Sequence, residues 1–296
     1  MCRAISHCGS IEDAKMKVSV LTPIYKTDER FLREAIESVL RQTFADFEFL
    51  LLDDCPEDDR EQVVRSYDDR RIVYLKNDRN LGITASRNRL IDLAKGEYLA
   101  VFDHDDICRP ERFAKEVAYL DAHPECGVVS GWTQPTCGGV NRYPEDDHGI
   151  KVAMMGGISM WHPASMVRKA ALVETGARYD AAYTPVEDYM LWMKLVPHTV
   201  FHNLQEVMID YRWHESNTSV VRKRELDAQD LRCKAWAKVN LPELYAEYEL
   251  LRSTERRIRL FGVPIAKVAS DFRETQVRLF GRIPVLRISR RFRMGA

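Results

Sequence analysis

The sequence predicts an α/β protein built on a parallel sheet with helices packed against it, and three observations carry that prediction. Strand-like and helix-like segments alternate from Met16 to about Leu120, as in chains assembled from β-α-β units. Four of the strand-like runs stop abruptly at polar residues, and two of those stops are acid clusters. A length of 296 residues with 45% apolar side chains suffices for one large core with a small appendage.

The elements follow in chain order. Residues 1–15 lack the apolar stretch of a secretory signal and read as a disordered leader, or as residues ahead of a start at Met16. Val18–Leu21 is a short apolar run ending at Thr22-Pro23. Phe31, Leu32, Ala35, Ile36, Val39 and Leu40 recur at helical spacing, with Asp28 placed to cap the first turn. Phe47–Leu52 is a second apolar run and ends at Asp53-Asp54; Ile72–Leu75 is a third and ends at Lys76-Asn77-Asp78. Thr84–Lys95 predicts a helix closed by Gly96, after which Tyr98–Phe102 runs into Asp103-His104-Asp105-Asp106. Ligands of open α/β sheets bind outside the carboxyl ends of the strands, so one sheet edge is expected to carry the site.

Composition narrows the function. With 44 basic and 45 acidic residues, the chain is neither mainly disordered nor globally suited to nucleic acid. No apolar run approaches the roughly 18 residues of a membrane span. Seven cysteines, an odd count without a CxxC pair, argue against a disulfide framework or structural zinc and for a reducing, cytoplasmic setting. Charge is uneven: residues 251–296 hold twelve basic and three acidic residues, so this stretch is +9 and the rest −10. Within it IRLFGVPIAKV (258–268) resembles VRLFGRIPVLRI (277–288), with Phe261 and Phe280 19 residues apart. Residues 221–296 are therefore expected to form a helical, basic extension, with 251–296 lying on an anionic membrane surface. The competing reading is an amphipathic helix packed on the domain.

The first strand is followed by TPIYK rather than a glycine-rich loop, and GxxxxGK[ST] is absent, so a bound nucleotide would need a cation to shield its phosphates. Asp103-His104-Asp105-Asp106 offers hard oxygen ligands for Mg²⁺ or Mn²⁺ shared with a diphosphate. The plain alternative is a solvated acidic turn, with Asp106 capping the next helix. Glu187-Asp188 suits a helix N-terminus, where acids complement the dipole.

VSVLTPIYK, FEFLLLDDCPEDD, NDRNLGITASRNRLIDLAKGEYLAVFDHDD, TPVEDYMLWMKL and YRWHESNTS stand in one order. In that order they resemble the motifs of the family 2 glycosyltransferases over roughly residues 16–220. The resemblance implies the Rossmann-like GT-A fold, a mainly parallel mixed sheet flanked by helices, with a nucleotide-binding half (16–120) and an acceptor half (121–220). It implies that Pro23 and Tyr25 lie against the base and that Asp54, with Asp53 beside it, meets the pyrimidine. Cys55-Pro56 stands where the family reads Gly-Ser. By the same resemblance Arg87 contacts nucleotide or phosphate, Asp103 lies near the ribose, Asp105 and Asp103 bind the metal, and His214 folds over the donor phosphates. Asp188 becomes the catalytic base, with Glu187 and His162 on the acceptor side; a buried structural role suits His162 as well.

The implied reaction is inverting transfer of one hexose from a nucleotide-diphosphate sugar, a UDP-sugar first, to a glycan or lipid-linked acceptor. Its setting would be cell-surface polysaccharide, lipopolysaccharide or glycoprotein glycan synthesis, in the cytoplasm or peripherally on the inner membrane face. Ile209 occupies the Gln position of the processive QxxRW motif, which favours single transfer. Two other readings stand beside it: a catalytically silent nucleotide-sugar-binding protein, and a nucleotidyltransferase on a related sheet.

Overall fold

Every residue of β1 (Val18–Ile24) and β2 (Phe47–Asp53) is buried, as a strand covered on both faces requires, which is why these runs are apolar without alternation. The computed structural model describes residues 16–58 and 60–253. Farther on it describes the backbone of strand residues 256–260, 263–270, 274–279 and 283–289. The expectation for 1–15 lies outside the described residues. α1 (Glu29–Leu40) joins β1 to β2, and its N-cap Asp28 accepts from the N–H groups of Arg30 and Phe31 as expected. α2 (Glu61–Arg65), β3 (Ile72–Lys76), α3 (Ile83–Leu93) and β4 (Tyr98–Val101) complete the first half. These four strands are parallel, in the order β3-β2-β1-β4. Register aligns Ile24 with Asp53 and Asp53 with Lys76, so the polar strand ends share one edge.

The second half contributes β5 (Ile107–Cys108), α4 (Arg112–Ala122), β6 (Cys126–Pro135), α5 (Asp147–Met154), β7 (Met166–Arg168), α6 (Lys169–Thr175), α7 (Glu187–Leu195) and β8 (Val200–Tyr211). The sheet order is β3-β2-β1-β4-β7-β6-β8-β5. β7 is antiparallel to both neighbours and β5 to β8, which makes the sheet mixed. After α8 (Thr218–Val221), α9 (Lys223–Asn240) and α10 (Pro242–Ser253) pack on the face that carries α7. Cys233, Ala237 and Leu241 are buried there, with Trp236, Tyr245 and Tyr248 against them.

Three local expectations change. The helix after Thr84 ends at Leu93, and Gly96 is needed for contact: a Cβ there would lie 2.4 Å from the Ser19 nitrogen. Asp106 does not cap α4, whose N-cap is Glu111. The extension is helical only to Ser253. Beyond it β9 (Arg256–Leu260), β10 (Val263–Ser270), β11 (Glu274–Leu279) and β12 (Ile283–Ser289) form a four-stranded antiparallel sheet. Apolar residues there alternate with period two, and Pro264 and Pro284 interrupt any helix.

Candidate active site

The edge where β1, β2 and β3 end is built around two buried carboxylates. Asp53 accepts from the Cys55 N–H at 2.9 Å and the Tyr74 hydroxyl at 2.8 Å, which fixes the turn where Cys55-Pro56 replaces Gly-Ser. Asp54 accepts from Asn77 Nδ2 (2.7 Å), the Leu81 N–H (2.8 Å) and the Gly82 N–H (2.8 Å). An ionised carboxylate offers about four acceptor positions, so Asp54 spends most of its capacity shaping the loop before α3. Gly82 stands in that loop with φ 82°, in the region that favours glycine. Pro23 is buried within β1, whereas Tyr25, 44% exposed, is open to a ligand.

Three consecutive residues on α3 reach three different segments, because side chains on a helix are set about 100° apart. Ser86 Oγ accepts from Asn77 Nδ2 at 3.1 Å. Arg87 donates to Glu187 Oε1 at 2.7 Å and to Asp103 Oδ1 at 3.4 Å, and its guanidinium lies over the Tyr179 ring. Asn88 holds both backbone groups of Tyr179. Thr84 adds a 2.7 Å hydroxyl contact to Thr184, just before α7. The Arg87 side chain is 12% exposed and that of Glu187 4%. Arg87 Nε and Glu187 Oε2 are both buried without a partner.

The acidic loop after β4 is held from the other side by the segment after β8. The Arg212 N–H donates to Asp106 Oδ1 at 2.8 Å, its Nε donates to the Asp105 carbonyl at 2.7 Å, and its guanidinium covers Phe31. His214 Nε2 meets Asp105 Oδ2 at 3.0 Å, while its Nδ1 meets Ser216 Oγ at 2.7 Å. Burial holds the carboxyl of Asp103 above its ordinary range, with Asp105 adding and Arg87 opposing. Burial together with Asp105 and Asp103 pushes Asp106 well above it.

Arg87 at Asp103 and Arg212 at Asp106 offset part of this negative charge, and Asp106 Oδ2 is buried without a partner. Among the described residues no three His, Cys, Asp or Glu side chains gather closely enough to hold a metal by themselves. The loop therefore fits a divalent cation only where a diphosphate and water supply further ligands.

Glu187 and Asp188 open α7, at the positive end of its dipole. Burial and then the neighbouring Glu187 charge raise Asp188 to about 6, while Arg87 opposes the rise. His162 is 3% exposed, and its Nε2 meets the Tyr179 hydroxyl at 2.7 Å. Burial, then Arg87 and Arg112, hold His162 well below its usual value, so the ring is neutral. It supports the cleft through Tyr179 and does not line an open surface. Arg112, fully buried, donates to the carbonyls of Val101, Pro163 and Ser165 and pairs with Glu116. It clamps the His162 turn against the end of β4.

Sequence reasoning singled out Arg87, Asp103, Asp105, Glu187, Asp188 and His214, and the fold gathers these into two linked clusters. It missed Asn77, Asn88, Arg112, Tyr179 and Arg212. Asn77 sits at a polar strand end and Arg212 within YRWHESNTS, so both had a signal. Tyr179 had none.

A family model described as "Glycosyl transferase family 2" matches residues 19–175. An uncharacterized glycosyltransferase of Haemophilus influenzae is 32% identical over 223 residues, covering 71% of this chain and 80% of the relative. The uncharacterized glycosyltransferase MJ1057 of Methanocaldococcus jannaschii is 29% identical over 233 residues, covering 72% and 77%. Among solved structures, S. aureus TarS 1-349 in complex with UDP-GlcNAc superposes with a TM-score of 0.65 at 20% identity, over 79% of this chain and 72% of that one. The Pyrobaculum calidifontis mannosyltransferase PcManGT, in complex with GDP-Man and Mn²⁺, superposes at 0.58 and 15% identity, over 80% and 74%.

Proposed function

The chain belongs to glycosyltransferase family 2, and from that premise we propose that it moves a single hexose from a nucleotide-diphosphate sugar to a hydroxyl of a glycan or lipid-linked acceptor, with inversion. Asp188 takes the proton of the acceptor hydroxyl as that oxygen attacks the anomeric carbon. The bond from the anomeric carbon to the diphosphate oxygen breaks in the same displacement, and the nucleotide diphosphate leaves. The observation that carries this reading is the Arg87 bridge, which joins the Glu187-Asp188 pair to Asp103 of the acidic loop. With this bridge, Asp188 would stand beside the place where a sugar diphosphate meets the loop.

A value of about 6 leaves Asp188 ionised at neutral pH while making it a stronger base than an exposed aspartate. Asp105 and Asp103 would hold a Mn²⁺ or Mg²⁺ ion, which supplies positive charge against the departing diphosphate. Tyr25 would lie against the nucleotide's base, with Asp54 shaping the pocket floor through the loop at 77–82. Arg212 and His214 keep the closing segment on the acidic loop. UDP is the favoured nucleotide, as in the TarS complex; the setting proposed is cell-surface glycan synthesis. An anionic membrane reached through residues 251–296 is the surface where a lipid-linked acceptor would be met. Among the described residues no helix is long and apolar enough to cross that membrane.

Asp188→Asn tests the assignment. The variant is expected to keep its affinity for UDP and to lose transfer by about two to four orders of magnitude, measured as the rate of nucleotide diphosphate release in the presence of acceptor. Undiminished transfer would take Asp188 out of the mechanism.

A further inference from the structure

Tyr179 is buried, 6% exposed, in the stretch between α6 and α7, where no helix or strand holds its backbone. Asn88 of α3 holds it instead. Its Oδ1 accepts from the Tyr179 N–H at 3.1 Å and its Nδ2 donates to the Tyr179 carbonyl at 2.9 Å. The far end of the side chain is fixed as well: the hydroxyl meets His162 Nε2 at 2.7 Å, and the two rings stand edge to face. A ring held at both ends presents its face in a set direction, and the Arg87 guanidinium lies over that face, 5.6 Å from the centroid. Arg87 and Asn88 are adjacent on α3, so one helix both grips the backbone of Tyr179 and lays the arginine on its ring.

A guanidinium carries five N–H donors. Arg87 bonds Glu187 at 2.7 Å and Asp103 at 3.4 Å, while its Nε is buried without a partner. Two bonds to acids on different elements, one of them long, leave the planar group free to turn about the line that joins them. A flat ring stacked on it removes that freedom. We infer that Tyr179 is a positioning residue for the transfer reaction, its ring fixing the Arg87 guanidinium between Glu187 and Asp103 so that the positive charge stands at a set place beside Asp188. The role in transfer rests on the reading of Asp188 as the base. Burial and then Glu187 raise the Asp188 carboxyl, and Arg87 opposes that rise. The other groups that face Asp188 are Asp103 of the acidic loop, Tyr179 itself and Cys233 of α9. Burial pushes the Tyr179 phenol and the Cys233 thiol well up, so both are neutral where Asp188 titrates and Arg87 is the cation of the set. An Arg87 that has lost its fixed place therefore lets Asp188 rise.

Tyr179→Leu removes the ring face, whereas Tyr179→Phe removes the hydroxyl and keeps the face. Both leave His162 Nε2 without its partner and should lower the melting temperature, so stability does not separate them. The titration of Asp188 does. It is followed in the full chain by 13C NMR of labelled aspartate carboxyls, with the Asp188 signal identified by its loss in Asp188→Asn. In Tyr179→Leu the midpoint should move up by about 0.5–1 pH unit, and in Tyr179→Phe it should stay at the native value. An unmoved midpoint in Tyr179→Leu, or equal displacement in the two variants, would overturn the positioning role. If Tyr179→Leu does not fold, Asn88→Ala frees the Tyr179 backbone and leaves its ring intact; the midpoint should again move up, and an unmoved one would overturn the inference. The acid limb of kcat/KM should follow the carboxyl, which on the limb is about a threefold to tenfold loss of transfer. A limb that stays in place while the carboxyl moves would count against Asp188 as the base and not against the hold of Tyr179 on Arg87.

Discussion

An aspartate proposed as a base at neutral pH should hold a proton more tightly than one in water, and burial beside Glu187 gives Asp188 that property. The consequence is an acid limb. The side chain is a base only when ionised, so transfer should fall about tenfold per pH unit below about 6 and level off above it. Replacing Glu187 by Gln removes a charge that raises Asp188 and should move the limb to lower pH, read from kcat/KM against pH. The same shift works against the fold. A carboxyl whose folded value lies above its unfolded one gives the native state its full contribution below the unfolded value, and that contribution is lost as pH rises through about 6. This chemistry was partly legible: two adjacent acids before an apolar helix predicted a helix start, and motif order pointed to Asp188. Its proton affinity was not, because it depends on which side chains crowd the carboxyl in space.

α3 is the element that unites the two halves, since it carries Ser86, Arg87 and Asn88 toward the strand-end loop, the acidic loop with α7, and the Tyr179 segment respectively. Arg87 and Glu187 are 100 residues apart, which is why no local pattern announces their pairing. Arg87→Met leaves Glu187 buried without its partner and should cost about 3–5 kcal/mol, measured by urea unfolding. Adding Glu187→Gln to that variant should recover most of the loss, because a neutral amide is less costly to bury. Helix and strand identities were readable wherever burial imposes a period or an unbroken apolar run, as in α1, β1 and β2. α3 ends short of the predicted Lys95 because Gly96 answers to the neighbouring backbone of Ser19 and not to a helix cap. The strands after Ser253 stand where the sequence predicts a helical extension, although the apolar residues there alternate with period two.

Across the whole molecule, the cleft joins an edge of parallel strands to a loop whose carboxylates Arg87 and Arg212 offset only in part, so donor and cation should stabilise the fold together. A ligand at 100 times its dissociation constant adds about 2.7 kcal/mol. UDP with Mn²⁺ or Mg²⁺ is therefore expected to raise the melting temperature by several degrees, and UDP with EDTA by much less. An equal shift in EDTA would remove the cation from donor binding. The sequence by itself determined the parallel half of the sheet, the edge that carries the candidate site and the acids standing there, because strand burial and strand-end polarity are local properties. Tertiary structure alone decided that β7 enters antiparallel, that α9 and α10 close over α7, and that His162 lies behind the cleft. It also decided that Arg87 and Arg212 bind the acidic loop from opposite sides. Those outcomes depend on packing and charge pairing between residues far apart in the chain, and separation in sequence carries no record of distance in space.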